Sequence, residues 1–163
     1  MYEFDRVTDY VKAGPRRLAD ALELLEQPTC EPEAADAGHR NLRGAVYLAG
    51  YAVECALKAY IISRVPGASG FSEALQRRVQ GGEVIDLGGR RAHNIRLLLR
   101  LTDLEGTLAS DDALRRSLGL CMKWRPDWRY DPRPFTSRVD ARSLLEASAH
   151  LSEWITRQRR SRD

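Results

Sequence analysis

The chain has 163 residues, of which 43% are hydrophobic and 30% charged, with a formal net charge of +3 at neutral pH. That length suits one domain with a real core, and the composition is ordinary for a soluble globular chain. The charge is too small to announce a nucleic-acid binder. No apolar run of about 18 residues marks a membrane span, and the charged N-terminus MYEFDRVTDYVK lacks a signal peptide's apolar centre, so a cytoplasmic location with no membrane partner is expected.

Phe4, Val7, Val11, Leu18, Leu22 and Leu25 recur at helical spacing, which predicts an amphipathic helix over residues 5–26. Gly14-Pro15 should kink it or split it, because proline removes a backbone donor and crowds the preceding turn. From Gln27 to Ala37 two prolines and three acids without apolar period predict an exposed connection.

The stretch Gly38 to Val65 is the longest proline-free segment with a helical period, and it predicts the central helix. Leu42, Val46, Ala49, Val53, Leu57 and Tyr60 share one face, and Ala45, Ala52, Ala56, Ala59 and Ser63 form a strip that lets a neighbour approach closely. A helix apolar over most of its circumference must be surrounded by others. Its remaining stripe is polar: Arg40, Arg43, Tyr47, Tyr51, Glu54 and Lys58. Glu54 and Lys58, four apart with the acid first, form either a surface pair worth roughly 0.2–0.5 kcal/mol or part of a cleft that a later segment completes.

Pro66 to Gly70 stops this helix, and Ser72 is placed to cap a short helix, SEALQRRVQ, ended by Gly81-Gly82. EVIDLGG, residues 83–89, has no partner strand and reads as loop, so residues 66–89 are an insertion relative to a minimal bundle. Arg91 to Leu101 predicts a helix placing Ile95, Leu98, Leu99 and His93 inward, with Arg96 and Arg100 on another face. Asp103 to Ala109 reads as a connection, and Ser110 followed by two acids reads as the cap of a helix running to about Met122. KWRPDWRYDPRPF, with three prolines, cannot be one regular element. Ser137 caps a last helix with Ala141, Leu144, Leu145, Ala147, Leu151, Trp154 and Ile155 on its apolar face, His150 on the solvated side and a frayed basic tail. The fold class expected is therefore all-α, an up-and-down bundle of four to five helices with an inserted loop and short helix after the central one.

Cys30, Cys55 and Cys121 have no CxxC spacing and no nearby histidine pair, so neither a disulfide framework nor a metal site is expected. No GxGxxG, P-loop, HExxH or GxSxG motif occurs, and no cofactor is expected. Lysine occurs only at Lys12, Lys58 and Lys123, so arginine carries nearly all positive charge; coding bias and phosphate recognition both account for this. His39 reads as a solvated or capping residue and His150 as solvated. His93 reads either as a hydrogen-bonded structural histidine or as a site residue. Aromatics alternating with arginines from Trp124 to Tyr130 either close one end of the bundle or stack on bases, and Arg129 could reach a carboxylate such as Glu54.

The pattern L-x-G-Y-x-x-E-x-x-L-K at Leu48, Gly50, Tyr51, Glu54, Leu57 and Lys58, followed by AHNIRLLL and WRPDWRY, resembles the HEPN superfamily of small helical domains over roughly residues 38–157. The resemblance implies a single domain over 1–163, with its core at 38–157, an N-terminal packing helix at 1–26 and a basic tail at 158–163. It also implies a homodimer and work in RNA cleavage, defence or toxin–antitoxin systems, often beside a nucleotidyltransferase partner. The arginine, four-to-six residues, histidine motif of the family's ribonucleases is missing; Arg142 and His150 come closest, with seven residues between them. What remains is Tyr51, Glu54, Lys58, His93, Arg129 and Tyr130, similar to the polar residues of the non-nuclease branches. The expected function is a binding or regulatory module for RNA, a nucleotide or a protein partner. Two alternatives stand beside it: a divergent metal-independent ribonuclease using His93 with Arg129 or Lys58, and a structural bundle with a buried ion network.

Overall fold

The computed structural model describes residues 5–27, 35–130 and 137–161, apart from the side chains of residues 35–41, 90, 129 and 130. Among the described residues the regular structure is helical: α1 (Val7–Glu26), α2 (Ala35–Ser63), α3 (Phe71–Gln80), α4 (Ile95–Arg100), α5 (Glu105–Ser110), α6 (Asp112–Cys121) and α7 (Arg138–Arg160). Short 3-10 turns occupy Gly89–His93 and Pro126–Tyr130. The helical bundle expected from the periodicity is present.

Helix α2 is the axis on which the others pack. Val46, Ala49, Ala52, Val53 and Tyr60 have no exposed surface, and α1, α7, α3 and α4 all lie against this helix. Its Leu42–Ser63 segment has the length and mean hydropathy, 1.4, of a membrane span, yet 83% of its most apolar window is buried inside the bundle. The apolar surface that would face lipid is covered by protein. The core falls into two clusters: one gathers α2 with α3, α4, α6 and the end of α7, and the other joins Ala21 and Leu25 of α1 to the start of α7.

Several local expectations are corrected. Helix α1 is a single element with Pro15 inside it rather than two short helices, its buried positions being Asp9, Tyr10, Gly14, Ala21 and Leu25, while Leu22 is exposed. At Gly14 the helix lies against α2 with room for ordinary contact, a Cβ built there standing 3.6 Å from the Ala52 carbonyl and 3.7 Å from the Cys55 Cβ. Helix α2 begins at Ala35, inside the expected connection, and residues 28–34 lie outside those described. Ser72 does not cap α3: the helix starts one residue earlier, and the Asp5 carboxylate accepts the Ser72 N–H at 3.1 Å from the far end of the sequence. Ser110 ends α5, a short helix where a connection was expected, and Asp111 caps α6 by accepting the N–H groups of Ala113 and Leu114 at 2.8 and 3.0 Å. Ser137 caps α7 as expected, accepting from Asp140 N at 3.1 Å. Trp154 is half-buried rather than core, and the basic tail continues the helix to Arg160.

Candidate functional site

Four residues apart on one helix face, Glu54 and Lys58 are both carried inward because the same turn of α2 buries Val53, Cys55 and Leu57. The Lys58 Nζ donates to Glu54 Oε1 at 2.7 Å, with the side chains 7% and 1% exposed. This is not the surface pair that the spacing alone allowed. The ammonium also lies 5.0 Å from the Phe71 ring centre and 5.5 Å from that of Tyr10, and a desolvated cation over ring faces gains electrostatic attraction from their quadrupoles. Tyr10 and Phe71 meet edge to face at 6.4 Å. One lysine thereby joins α1, α2 and α3.

The same carboxylate oxygen holds His93. Its Nδ1 lies 2.9 Å from Glu54 Oε1, with the imidazole 46% exposed and the carboxylate buried beneath it. His93 does not sit on the predicted helix: it ends the 3-10 turn Gly89–His93, and Asn94 caps α4 by accepting the Leu97 N–H at 3.1 Å. The reason is local, because the asparagine side chain takes over an orphan helix donor and starts the helix at Ile95. With Nδ1–H donated to the carboxylate, Nε2 is left as the outward ring nitrogen, and it has no partner among the described residues. Glu54 Oε2 is buried and likewise without a hydrogen-bond partner.

Tyr51, one turn before Glu54, is half-buried and stacks on Tyr47 at 6.3 Å between ring centres, nearly parallel. Burial raises its phenol above the ordinary value, with the Cys55 and Glu54 charges adding to it, so the hydroxyl stays protonated. Tyr10 is raised too, first by burial and then by Asp5. Tyr47 continues to Trp124, whose indole N–H donates to the Tyr47 carbonyl at 3.2 Å. Trp124 is 6% exposed and lies flat over Gly50, where any side chain would collide with the indole. The Gly50-Tyr51 pair in the pattern thus has a physical cause: the glycine is the seat of a tryptophan.

Of the residues expected at a site, Glu54, Lys58 and His93 come together in direct contact and Tyr51 stands beside them; the side chains of Arg129 and Tyr130 lie outside the described residues. Sequence reasoning missed Tyr10 and Phe71 as the walls around Lys58. It also missed Arg91, Asn94, Arg96 and Arg125, which line a pocket next to His93. Their signal was the arginine pair preceding Ala92-His93 and the tryptophan-arginine alternation after α6. His150, expected in solvent, is half-buried with Nδ1 3.0 Å from the Ser117 hydroxyl. That contact ties α7 to α6. Asp111 nearby is spent on capping its own helix, so the three residues do not form a nucleophilic relay. Among the described residues no group of three histidine, cysteine, aspartate or glutamate side chains is arranged to hold a metal ion.

Comparison with family models, with curated proteins and with solved structures gives no match for this chain.

Proposed function

We propose that this chain is a HEPN-like helical binding module for RNA or a nucleotide, of the kind that works in defence or toxin–antitoxin systems as a homodimer or beside a nucleotidyltransferase partner. The observation that carries the reading is a half-exposed imidazole fastened through Nδ1 to a buried carboxylate that also neutralises a buried lysine. Glu54 and Lys58 are the fixed part of this unit and His93 is its working edge. Orienting one histidine so firmly serves recognition of a phosphate or a base edge by its free nitrogen. Support for the family comes from the L-x-G-Y-x-x-E-x-x-L-K pattern together with the helical bundle. RNA mobility shift and calorimetry with the wild type and His93→Ala test it: the exposed position leaves the fold intact, and affinity should drop by about tenfold or more. Equal binding by both proteins removes His93 from the site.

A second reading is favoured by the same Nδ1 contact. A carboxylate that fixes the imidazole and leaves Nε2 outward is the arrangement a general base needs, with the proton of a ribose 2′-hydroxyl taken up at Nε2. Wild-type protein that cleaves single-stranded RNA, and loses that activity in His93→Ala, would move the chain from binding module to nuclease. Absence of cleavage in the wild type closes this second reading.

A further inference from the structure

Next to His93, between the turn Gly89–His93 with α4 on one side and the chain leaving α6 on the other, lies a concave pocket of about 400 Å³. Three arginines line it, Arg91, Arg96 and Arg125, with Asn94 between the first two and Met122 and Trp124 as apolar wall. What these groups still have to offer is almost entirely donor capacity. Asn94 spends its Oδ1 on the Leu97 N–H, which fixes the amide so that its NH2 remains for a ligand. Arg125 engages the neighbouring Asp127 carboxylate at 2.5 and 3.0 Å, so the acid on the pocket wall is already in use. Arg91 pairs with the exposed Asp86, and a guanidinium with five donors keeps several beyond one such pair. Arg96 is exposed and makes no ion pair among the described residues.

A cavity that presents the Arg96 fork, the donors that Arg91 and Arg125 keep beyond Asp86 and Asp127, and one amide selects an anion with several oxygens around one centre, as in a phosphate. Its volume is near the lower end of the roughly 300–1,000 Å³ typical of small-ligand sites, enough for one nucleotide unit and too small for several. We infer that this pocket takes a single phosphorylated nucleotide, its phosphate held by Arg91, Arg96 and Arg125 and its nucleoside lying against Met122 and the accessible edge of Trp124. The nucleotide is either a free nucleoside monophosphate or the phosphorylated end of an RNA strand. The inference rests on the binding reading above and adds the pocket and the ligand class to it. His93 stands one residue from Asn94, so a ligand seated here brings its sugar or phosphate toward the imidazole.

Calorimetry with UMP, and fluorescence anisotropy with a short single-stranded oligouridylate carrying or lacking a 5′-phosphate, test it on the full chain. Arg96→Glu, Arg125→Ala and Arg142→Glu are compared, the last an exposed arginine on α7 outside the pocket, with circular dichroism checking each fold. Expected is binding by the wild type that weakens at least about tenfold in Arg96→Glu and Arg125→Ala and is unchanged in Arg142→Glu. Binding of UMP alone identifies the free nucleotide as the source; a requirement for the 5′-phosphate on the strand identifies the RNA end. If the strand binds and both pocket variants match the wild type while His93→Ala does not, the pocket assignment is wrong and the binding reading stands. If Arg142→Glu weakens binding as much as Arg96→Glu, the effect is general charge and the pocket is again overturned. Wild-type protein that binds neither UMP nor either strand defeats both.

Discussion

Replacing Gly50 by alanine sets two effects of opposite sign against each other. In the middle of α2 the substitution should favour the helix by about 0.8–1.0 kcal/mol, because glycine has more backbone freedom to lose. A Cβ at this position, however, falls 2.2 Å from Cγ and Cδ1 of Trp124 and 2.4 Å from its Nε1. Carbon atoms prefer roughly 3.5–4.0 Å, so the indole must retreat by more than about 1 Å. It is 6% exposed and has little room to do so. Forced repacking costs about 1–3 kcal/mol, and loss of the Nε1–H bond to the Tyr47 carbonyl adds about 0.5–1.5 kcal/mol. The net expectation is a destabilisation of about 1–3 kcal/mol, measured by urea unfolding followed by circular dichroism at 25 °C. In a Trp124→Ala background the sign should reverse, with Gly50→Ala stabilising by up to about 1 kcal/mol. A Gly50→Ala protein at least as stable as the wild type would refute the claim that the tryptophan sits on this glycine.

Glu54→Ala should cost about 3–5 kcal/mol in the same assay, because it leaves Lys58 buried without a counter-charge, whereas Glu54→Leu with Lys58→Met should cost far less than the two single changes added together; additive costs would mean that the pair is not coupled. Burial, with Glu54 adding to it, pushes the Cys55 thiol up to about 12, and burial pushes Cys121 up to about 11, so at pH 8 neither should form the reactive thiolate; peptide mapping after brief alkylation should find both unlabelled in native protein and both labelled in urea. Glu73 is held down to about 2, first by the Ser69 N–H, then by the Ser69 hydroxyl and by Arg77. The depressed value means its contribution is fully present above the ordinary value of 4.5 and is lost as pH falls through about 2. A carboxyl titration followed by NMR should therefore place the Glu73 midpoint near 2, rising only part of the way toward 4.5 in Ser69→Ala, which removes the hydroxyl and keeps the backbone N–H and Arg77, and a midpoint near 4.5 in the wild type would show that the loop before α3 is not fastened this way.

How far the candidate site could be read from the chain depended on how near its parts lie in sequence. Glu54 and Lys58 share a helix turn, so their pairing followed from spacing. Whether that pair faced solvent or a cleft stayed open in the sequence, and its burial is decided by the helices that pack around α2. His93, left open between a structural and a site role, meets the Glu54 carboxylate from a 3-10 turn rather than from the expected helix, because Asn94 supplies the cap. Tyr10 and Phe71 are far from Lys58 in sequence and carry no local mark of the rings they present to it. The same holds for the Asp5 carboxylate that caps α3, where a nearby serine offered a plausible but unused alternative.

By itself the sequence determined the elements whose energetics are local: the all-helical class, the long central helix, the Ser137 cap and the apolar face of α7. Helical periodicity and capping act over three or four residues, and that range is written in the chain. Only the tertiary structure decided which face of α1 turns inward, that one carboxylate oxygen receives both an ammonium and an imidazole, and that three arginines from separate turns surround one pocket. Those outcomes depend on groups far apart in sequence meeting in space, as where Trp124 sits on Gly50 of α2, and the distance between packed helices is set by side chains from both partners at once.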